Sequence, residues 1–197
     1  MAETPVTARR TAAAVAGHSG DEATARSLLA DPAPPVRASA LAALARLGAL
    51  SVADLHHALA DPEPPVRRRA LALAVGHPAV ALVPLLADAD PSIVEQAAWA
   101  CGEREPAERG AVVALAEVAT THDDALCREA AVAALGAVGD PAGLPAILVA
   151  TQDKATVRRR AVIALAPFGG PEVDAALTSA LGDRDWQVRQ AAEDQLA

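Results

Sequence analysis

Aromatic residues are almost absent from this sequence of 197 residues, which contains one Phe, two Trp and no Tyr. A core built from large aromatic side chains is therefore excluded. Alanine is the best helix former and supplies much of the apolar content of 52%. This composition favours an all-helical protein whose helices bury little area per residue and approach one another closely.

Cysteine and long apolar runs are also scarce. Cys101 and Cys127 lie in apolar segments predicted to be helical, and no CxxC spacing occurs. This favours two buried thiols in a reducing compartment over a disulfide or a metal site. No apolar run approaches the roughly 18–20 residues of a membrane span. The alanine-rich segment 11–17 is only as long as the shortest signal-sequence cores, about 7 residues. We interpret it as the first structural helix and expect a cytoplasmic protein without membrane contact.

The charge balance and the missing motifs restrict the function further. A formal net charge of −8 argues against a general nucleic-acid binder, because such proteins carry a basic surface, although local basic patches stay open. The motifs HExxH, GxxxxGK[ST], GxGxxG and GxSxG do not occur. We therefore expect no catalytic residues, no metal and no cofactor.

Two nearly identical phrases, DPAPPVR at 31–37 and DPEPPVR at 61–67, reveal an internal repeat. With the valine as position 0, small or apolar residues recur at +4 and +8, which is the spacing of one face of a helix. The intervals between successive copies are 28 to 33 residues, and the zero positions are Ala8, Val36, Val66, Val94, Cys127, Val157 and Val188. Helices are therefore predicted near 7–17, 34–47, 64–76, 91–102, 124–137, 155–167 and 185–196.

Shorter apolar segments lie between these predicted helices, and proline residues or Gly-Asp pairs mark the turns that connect them. Each segment, such as PAVALVPLLA at 78–87, occupies the place of a partner helix. The unit is a two-helix hairpin that recurs six times after an opening helix. We predict an all-α fold that forms a single domain over residues 1–197.

The recurring pattern of Asp, a few residues, Val-Arg, two residues and Ala resembles the HEAT repeat, in the short form known from phycobilin-lyase-like proteins. The resemblance covers almost the whole chain and implies a right-handed α-solenoid whose second helices line a concave face. HEAT proteins also form ladders of Asp–Arg pairs, in which each arginine here could reach an aspartate of its own or the next repeat. The resemblance implies this structural role for Asp31, Arg37, Asp61, Arg67, Asp153, Arg158, Asp183 and Arg189.

The fourth copy departs most from the pattern. Glu95 stands at the ladder position, Trp99 stands at +5, and a charged insert follows at 103–106. Positions +2, +5, +6 and +9 are expected on the concave face, where a Trp among small side chains and arginines is typical of a protein-binding hot spot. The predicted groove residues are Trp99, Glu95, Gln96, Arg68, Glu129, Arg159 and Ile163. Two structural alternatives stay open. In one, Trp99 fills a gap between adjacent repeats, and in the other, Glu95 pairs with a neighbouring arginine such as Arg128.

The function predicted from these features is a non-enzymatic scaffold or adaptor that binds a protein or peptide in the groove. HEAT-like alkylpurine DNA glycosylases suggest one alternative, a DNA-binding enzyme that depends on Glu95, and phycobilin-lyase-type subunits suggest another. HEAT-type deoxyhypusine hydroxylases carry His-Glu pairs, and no such dipeptide occurs in this sequence. Self-association through the groove or an exposed face is a third hypothesis.

Overall fold

All regular structure in the described part of the chain, residues 5–197 of the computed structural model, is helical. The described residues form two compact units, residues 5–81 and residues 82–197. We call a helix that carries position 0 a repeat helix and the helix before it a partner helix. The all-α fold class predicted from the sequence is confirmed.

The first unit alternates repeat and partner helices. The repeat helices are α1 (Val6–Ser19), α3 (Pro34–Arg46) and α5 (Pro64–Ala74), and the partner helices are α2 (Glu22–Ser27), continued by a 3-10 turn at Leu28–Ala30, and α4 (Val52–Leu59). Pro34 and Pro64 each occupy the first position of a helix, where the missing N–H of proline costs nothing. α3 packs between α1 and α5, so the three repeat helices form one layer.

The second unit continues the alternation. Its repeat helices are α6 (Pro91–Gly102), α8 (Ala125–Val138), α10 (Ala155–Ala164) and α12 (Trp186–Leu196), and its partner elements are a 3-10 helix (Val83–Ala87), α7 (Ala111–Thr121), α9 (Leu144–Ala150) with a preceding 3-10 turn at Pro141–Gly143, and α11 (Pro171–Ala180). The repeat helices again pack in chain order, each against the next.

The apolar segment 78–87 does not form the predicted partner α-helix. Turns lead from His77 into a short 3-10 helix at Val83–Ala87. The reason is Pro84, which has no N–H to donate and would break an α-helix that ran through residues 78–87, but which is tolerated in the first turn of the short 3-10 helix.

The charged insert at 103–106 supports this irregular segment. Arg104 is buried, and its guanidinium pairs with the carboxylate of Glu108 at 3.0 Å. The carboxylate of Glu108 also accepts hydrogen bonds from the backbone N–H groups of Leu82, at 2.8 Å, and Val83, at 3.3 Å. Arg104 of the insert therefore helps to hold Glu108 where its carboxylate caps the start of this 3-10 helix, which has no side-chain cap of its own.

The pattern of buried residues shows that the fourth repeat begins one residue earlier than the sequence predicts. In α3 the buried positions 0, +4, +5, +7 and +8 are Val36, Ala40, Leu41, Ala43 and Leu44, and in α6 the same spacing of buried residues is Ile93, Ala97, Ala98, Ala100 and Cys101. The helix-opening prolines agree, because Pro34 and Pro91 both lie two residues before position 0 only if Ile93 is that position. The predicted zero position Val94 is therefore wrong. The sequence misled because Ile93-Val94 and Ala97-Ala98 fit either register.

Two consequences follow for the predicted groove. Position +5 is buried in α3, α5, α8 and α10, where Leu41, Leu71, Val132 and Val162 are at most 1% exposed, so the expectation that +5 lies on the exposed face is wrong. In the corrected register Trp99 occupies +6, Glu95 occupies +2, and Val94 rather than Glu95 takes the ladder position.

Two glycines at position +9 let the repeat helices of the second unit approach closely. A methyl group added at Gly136 would lie 2.7 Å from the Cα atom of Ala164, and one added at Gly102 would lie 2.9 Å from the Cα atom of Ala134. Any side chain at these positions would push the helices apart, so glycine is used here for its lack of a Cβ atom.

Candidate protein-binding surface

The Asp–Arg ladder has the same geometry in successive repeats. Arg158 donates from Nε and Nη2 to the two carboxylate oxygens of Asp183, both at 2.8 Å, and from Nη1 to the backbone carbonyl of Asp153 at 2.8 Å. Arg158 thus binds a carbonyl of its own turn and the carboxylate of the next repeat, and Arg37 and Arg128 bind both kinds of partner in the same way. The same bidentate geometry occurs in the pairs Arg9–Asp31, Arg37–Asp61 and Arg128–Asp153.

Two other predicted ladder arginines bind backbone carbonyls of their own turns. Arg67 and Arg189 donate from Nη1 to the carbonyls of Asp61, at 2.9 Å, and Asp183, at 2.7 Å. Arg9 and Arg128 also belong to the ladder, and their position at +1 is the signal in the sequence that identifies them. The carboxylates of Asp31 and Asp61 additionally accept a backbone N–H two residues later, as in an Asx turn.

These pairs shift the protonation of the aspartates. The hydrogen bonds from Arg158 hold the pKa of Asp183 below its usual value against the opposing effect of burial, and those from Arg128 do the same to the pKa of Asp153. Both carboxylates are therefore ionised at neutral pH and fully engaged. The ladder arginines and aspartates have structural partners and contribute little to a binding surface.

An apolar row runs along position +6 of the second unit. Trp99 of α6 is 44% exposed, and Ala133 of α8 and Ile163 of α10 are half-buried. Because α8 packs between α6 and α10, and packed helix axes lie about 8–10 Å apart, the small Ala133 separates two larger side chains. The row therefore has one small side chain between two larger apolar ones.

A charged row lies one helical turn before the apolar row, at position +2. It consists of Glu95, which is exposed, Glu129, which is half-buried, and Arg159, which is exposed. We call the six residues of the two rows the Trp99 surface: Glu95, Trp99, Glu129, Ala133, Arg159 and Ile163. It combines an exposed indole, an aliphatic side chain and charges of both signs.

The ion pairs around this surface leave part of its charge unpaired. The Oε1 atom of Glu129 lies 3.6 Å from the Nη2 atom of Arg160. Within residues 5–197 Glu95 forms no ion pair, and Arg128 binds Asp153, so the suggested pairing of Glu95 with Arg128 is wrong.

Two predicted groove residues are not members of the two rows. Gln96 is half-buried at position +3 of α6, and Arg68 is exposed on α5 in the first unit. The structure therefore groups five of the seven predicted groove residues on the Trp99 surface, together with Ala133.

Reactive side chains are held in unreactive surroundings. Burial raises the pKa of the Cys101 thiol to about 12 and that of Cys127 to about 11, so neither is a thiolate at neutral pH. A depression of about 400 Å³ between α10, α11 and α12 is lined by Asp153, Arg158 and Asp183, which the ladder already pairs. Over the described range no three His, Cys, Asp or Glu side chains converge in a way that could hold a metal ion.

None of the described helices has the length and apolarity that a membrane span requires. This finding concerns residues 5–197.

Solved structures with the same fold are helical proteins of low sequence identity. YibA of Escherichia coli matches with a TM-score of 0.74 and 18% identity over 99% of this chain and 77% of that one. A designed armadillo repeat protein in complex with the peptide (KR)4 matches with a TM-score of 0.61 and 16% identity over 98% of both chains. An engineered protein matches with a TM-score of 0.62 and 22% identity over 96% of this chain and 63% of that one. These likenesses confirm the repeat fold.

Sequence comparisons give the family. No curated protein sequence matches this chain. The family model for HEAT repeats matches residues 79–166 and again residues 112–197, which together extend over more than half of the chain. The helical hairpins, the buried positions and the recurring arginines of this chain agree with that match. The chain belongs to the HEAT-repeat family.

Proposed function

We propose that this protein is a non-enzymatic scaffold that binds a protein or peptide partner on the Trp99 surface. The observation that carries the proposal is the exposure of Trp99 at position +6, where α3, α5 and α8 have alanine. Tryptophan supplies a large contact area at a low cost in conformational entropy, and it is enriched among the residues that dominate binding energy.

The surroundings of Trp99 support a protein ligand. The neighbouring Ala133 leaves room beside the indole, and Ile163 supplies a second apolar contact on the far side. The charged row with Glu95 and Arg159 borders the apolar row, and a polar border around an apolar centre is typical of protein interfaces. A helical-repeat protein with the same fold is known in complex with the peptide (KR)4, which shows that the fold is compatible with a peptide ligand.

The experiment is a selection of peptides from a phage-displayed random library with the wild-type protein. Fluorescein-labelled copies of the selected peptides are then titrated with the wild type and with the Trp99→Ala variant. We expect the variant to bind about 30-fold more weakly, because hot-spot residues contribute 2 kcal/mol or more.

The matched control is Val113→Ala on α7. Val113 is 73% exposed but lies on a partner helix away from the Trp99 surface, so its removal is expected to leave peptide binding unchanged. The proposal is wrong if Trp99→Ala retains the wild-type affinity for every selected peptide, or if no peptide is selected. It is also wrong if both variants lose affinity equally.

A further inference from the structure

Charge is segregated within the first unit. Its repeat helices α1, α3 and α5 contain seven arginines and no Asp or Glu. The acidic residues between 5 and 81 lie on the partner helices or in the turns before helices: Asp21, Glu22, Asp31, Asp54, Asp61 and Glu63. The layer of repeat helices in this unit is therefore purely basic.

Four of these arginines are available to a ligand. Arg9 and Arg37 bind Asp31 and Asp61, and Arg67 holds a turn carbonyl. The other four are exposed and form no ion pair within the described residues: Arg10, Arg46, Arg68 and Arg69. We call these four residues the basic face.

The spacing of the basic face suits an extended polymer. Arg10 and Arg68 both occupy position +2, on α1 and α5, and Ala38 occupies that position on α3 between them. Two steps of 8–10 Å between packed helices place the two arginines about 20 Å apart. An extended peptide rises about 3.3 Å per residue, so a segment of about six residues spans this distance.

We propose that the basic face binds an acidic segment of a protein, rich in Asp or Glu. All four cations are arginines, whose planar guanidinium groups fit carboxylates with two parallel hydrogen bonds. The small side chain of Ala38 leaves the middle of the face open to a peptide backbone. This surface lies in the first unit, and the proposal does not depend on the Trp99 surface.

Nucleic acid is a poorer match for the same face. The first unit contains no Trp, Phe or Tyr on which a base could stack. The whole chain carries a charge of −8, which repels a long polyanion more strongly than it repels a short acidic segment. The second unit accounts for that charge, since residues 82–197 hold 18 acidic and 9 basic residues.

The test uses a fluorescein-labelled decapeptide of alternating glutamate and serine, with a glutamine–serine decapeptide as the uncharged control. Binding to the full chain is followed by fluorescence anisotropy. We expect the glutamate peptide alone to bind and its affinity to fall as salt is added, because the contacts are exposed charge pairs. The double variant Arg68→Gln/Arg69→Gln and the single variant Arg10→Gln are each expected to bind the glutamate peptide about tenfold more weakly.

The matched control variant is Arg109→Gln, since Arg109 is also exposed and lies in the second unit. It is expected to bind the glutamate peptide like the wild type. Circular dichroism of each variant verifies that the helices are intact.

Several results would overturn the proposal. One is unchanged binding of the glutamate peptide after removal of Arg10 or of Arg68 and Arg69, and another is an equal loss in Arg109→Gln. Tighter binding of a thymidine decanucleotide would assign the face to nucleic acid. A dimer in sedimentation analysis that dissociates in the double variant would show that a second copy of the chain covers the face. Absence of any binding of the glutamate peptide at low salt would also refute the proposal.

Discussion

The substitution Gly136→Ala tests the close approach of α8 and α10 most directly. In an unobstructed helix this change stabilises a protein by up to about 1 kcal/mol, because alanine is the better helix former. At Gly136 the new methyl carbon would lie 2.7 Å from the Cα atom and 3.0 Å from the carbonyl oxygen of Ala164. Both are backbone atoms of α10, so no side-chain rotation relieves the contact.

The magnitude follows from two opposing contributions. Forcing an extra methyl group into a packed site costs about 1–3 kcal/mol, whereas the gain in helix propensity returns up to about 1 kcal/mol. Because both close contacts are with backbone atoms, the cost lies in the upper part of that range, at about 2–3 kcal/mol. We therefore expect Gly136→Ala to lower the free energy of unfolding by a net amount of about 1–2 kcal/mol. The assay is urea denaturation followed by circular dichroism at 222 nm, the far-ultraviolet minimum of helical backbone.

The neighbouring residue provides the control. Ala137 is exposed in the same helix, so Ala137→Gly reports the helix propensity near this end of α8 without a steric effect. We expect it to lower the free energy of unfolding by no more than about 1 kcal/mol. A Gly136→Ala protein as stable as the wild type, or more stable, would refute the packing of α8 against α10.

Three further predictions concern the core, the ladder and the thiols. Leu165→Ala is expected to lower the free energy of unfolding by about 2–5 kcal/mol in urea denaturation, because this side chain is 1% exposed. The pKa of Asp183 is lowered in the folded state, so its stabilisation is present above pH 4 and is lost as the pH falls from about 4 downward. Stability curves of Arg158→Met should therefore lose part of this acid dependence. Cys101 and Cys127 should react with Ellman's reagent at pH 8 only after denaturation, since burial raises the pKa of both thiols well above 8.

Each of these predictions has an outcome that contradicts it. A loss well under 1 kcal/mol for Leu165→Ala would place this residue outside the core, because buried leucines lose about 2–5 kcal/mol. An unchanged acid dependence in Arg158→Met would show that the pair with Asp183 does not couple protonation to folding. Immediate reaction of either cysteine in the native protein would contradict its burial.

The helical-repeat fold is predictable from the sequence because its signal is redundant. The proline-rich turns, the Val-Arg pairs and the apolar spacing recur in successive copies, so one ambiguous residue changes little. The family model and the solved structures confirm the assignment. The register of a single copy lacks this redundancy. Ile93-Val94 offers two equivalent starting points, and only burial and the position of Pro91 distinguish them.

The candidate site was harder to predict for a physical reason. Whether Trp99 is exposed depends on a rotation of 100° about the helix axis, which equals one residue of register. The partner segment at 78–87 shows a second limit, because its apolar composition favours burial but Pro84 decides its backbone conformation. The order of the ladder was also undetermined, because proximity in sequence favours the aspartate of the same turn, six residues before Arg37, whereas the carboxylate that Arg37 binds lies 24 residues after it.

The ladder described above also determines how far a local perturbation spreads. The guanidinium groups of Arg37, Arg128 and Arg158 each join their own turn to the following one and reach no further. Stability along each unit therefore behaves as a chain of nearest-neighbour couplings. Removing one link leaves the remaining couplings intact on either side. Hydrogen exchange after the loss of Arg158 should therefore accelerate in α10 and in the turn that contains Asp183, while amides in the middle of α8 keep most of their protection.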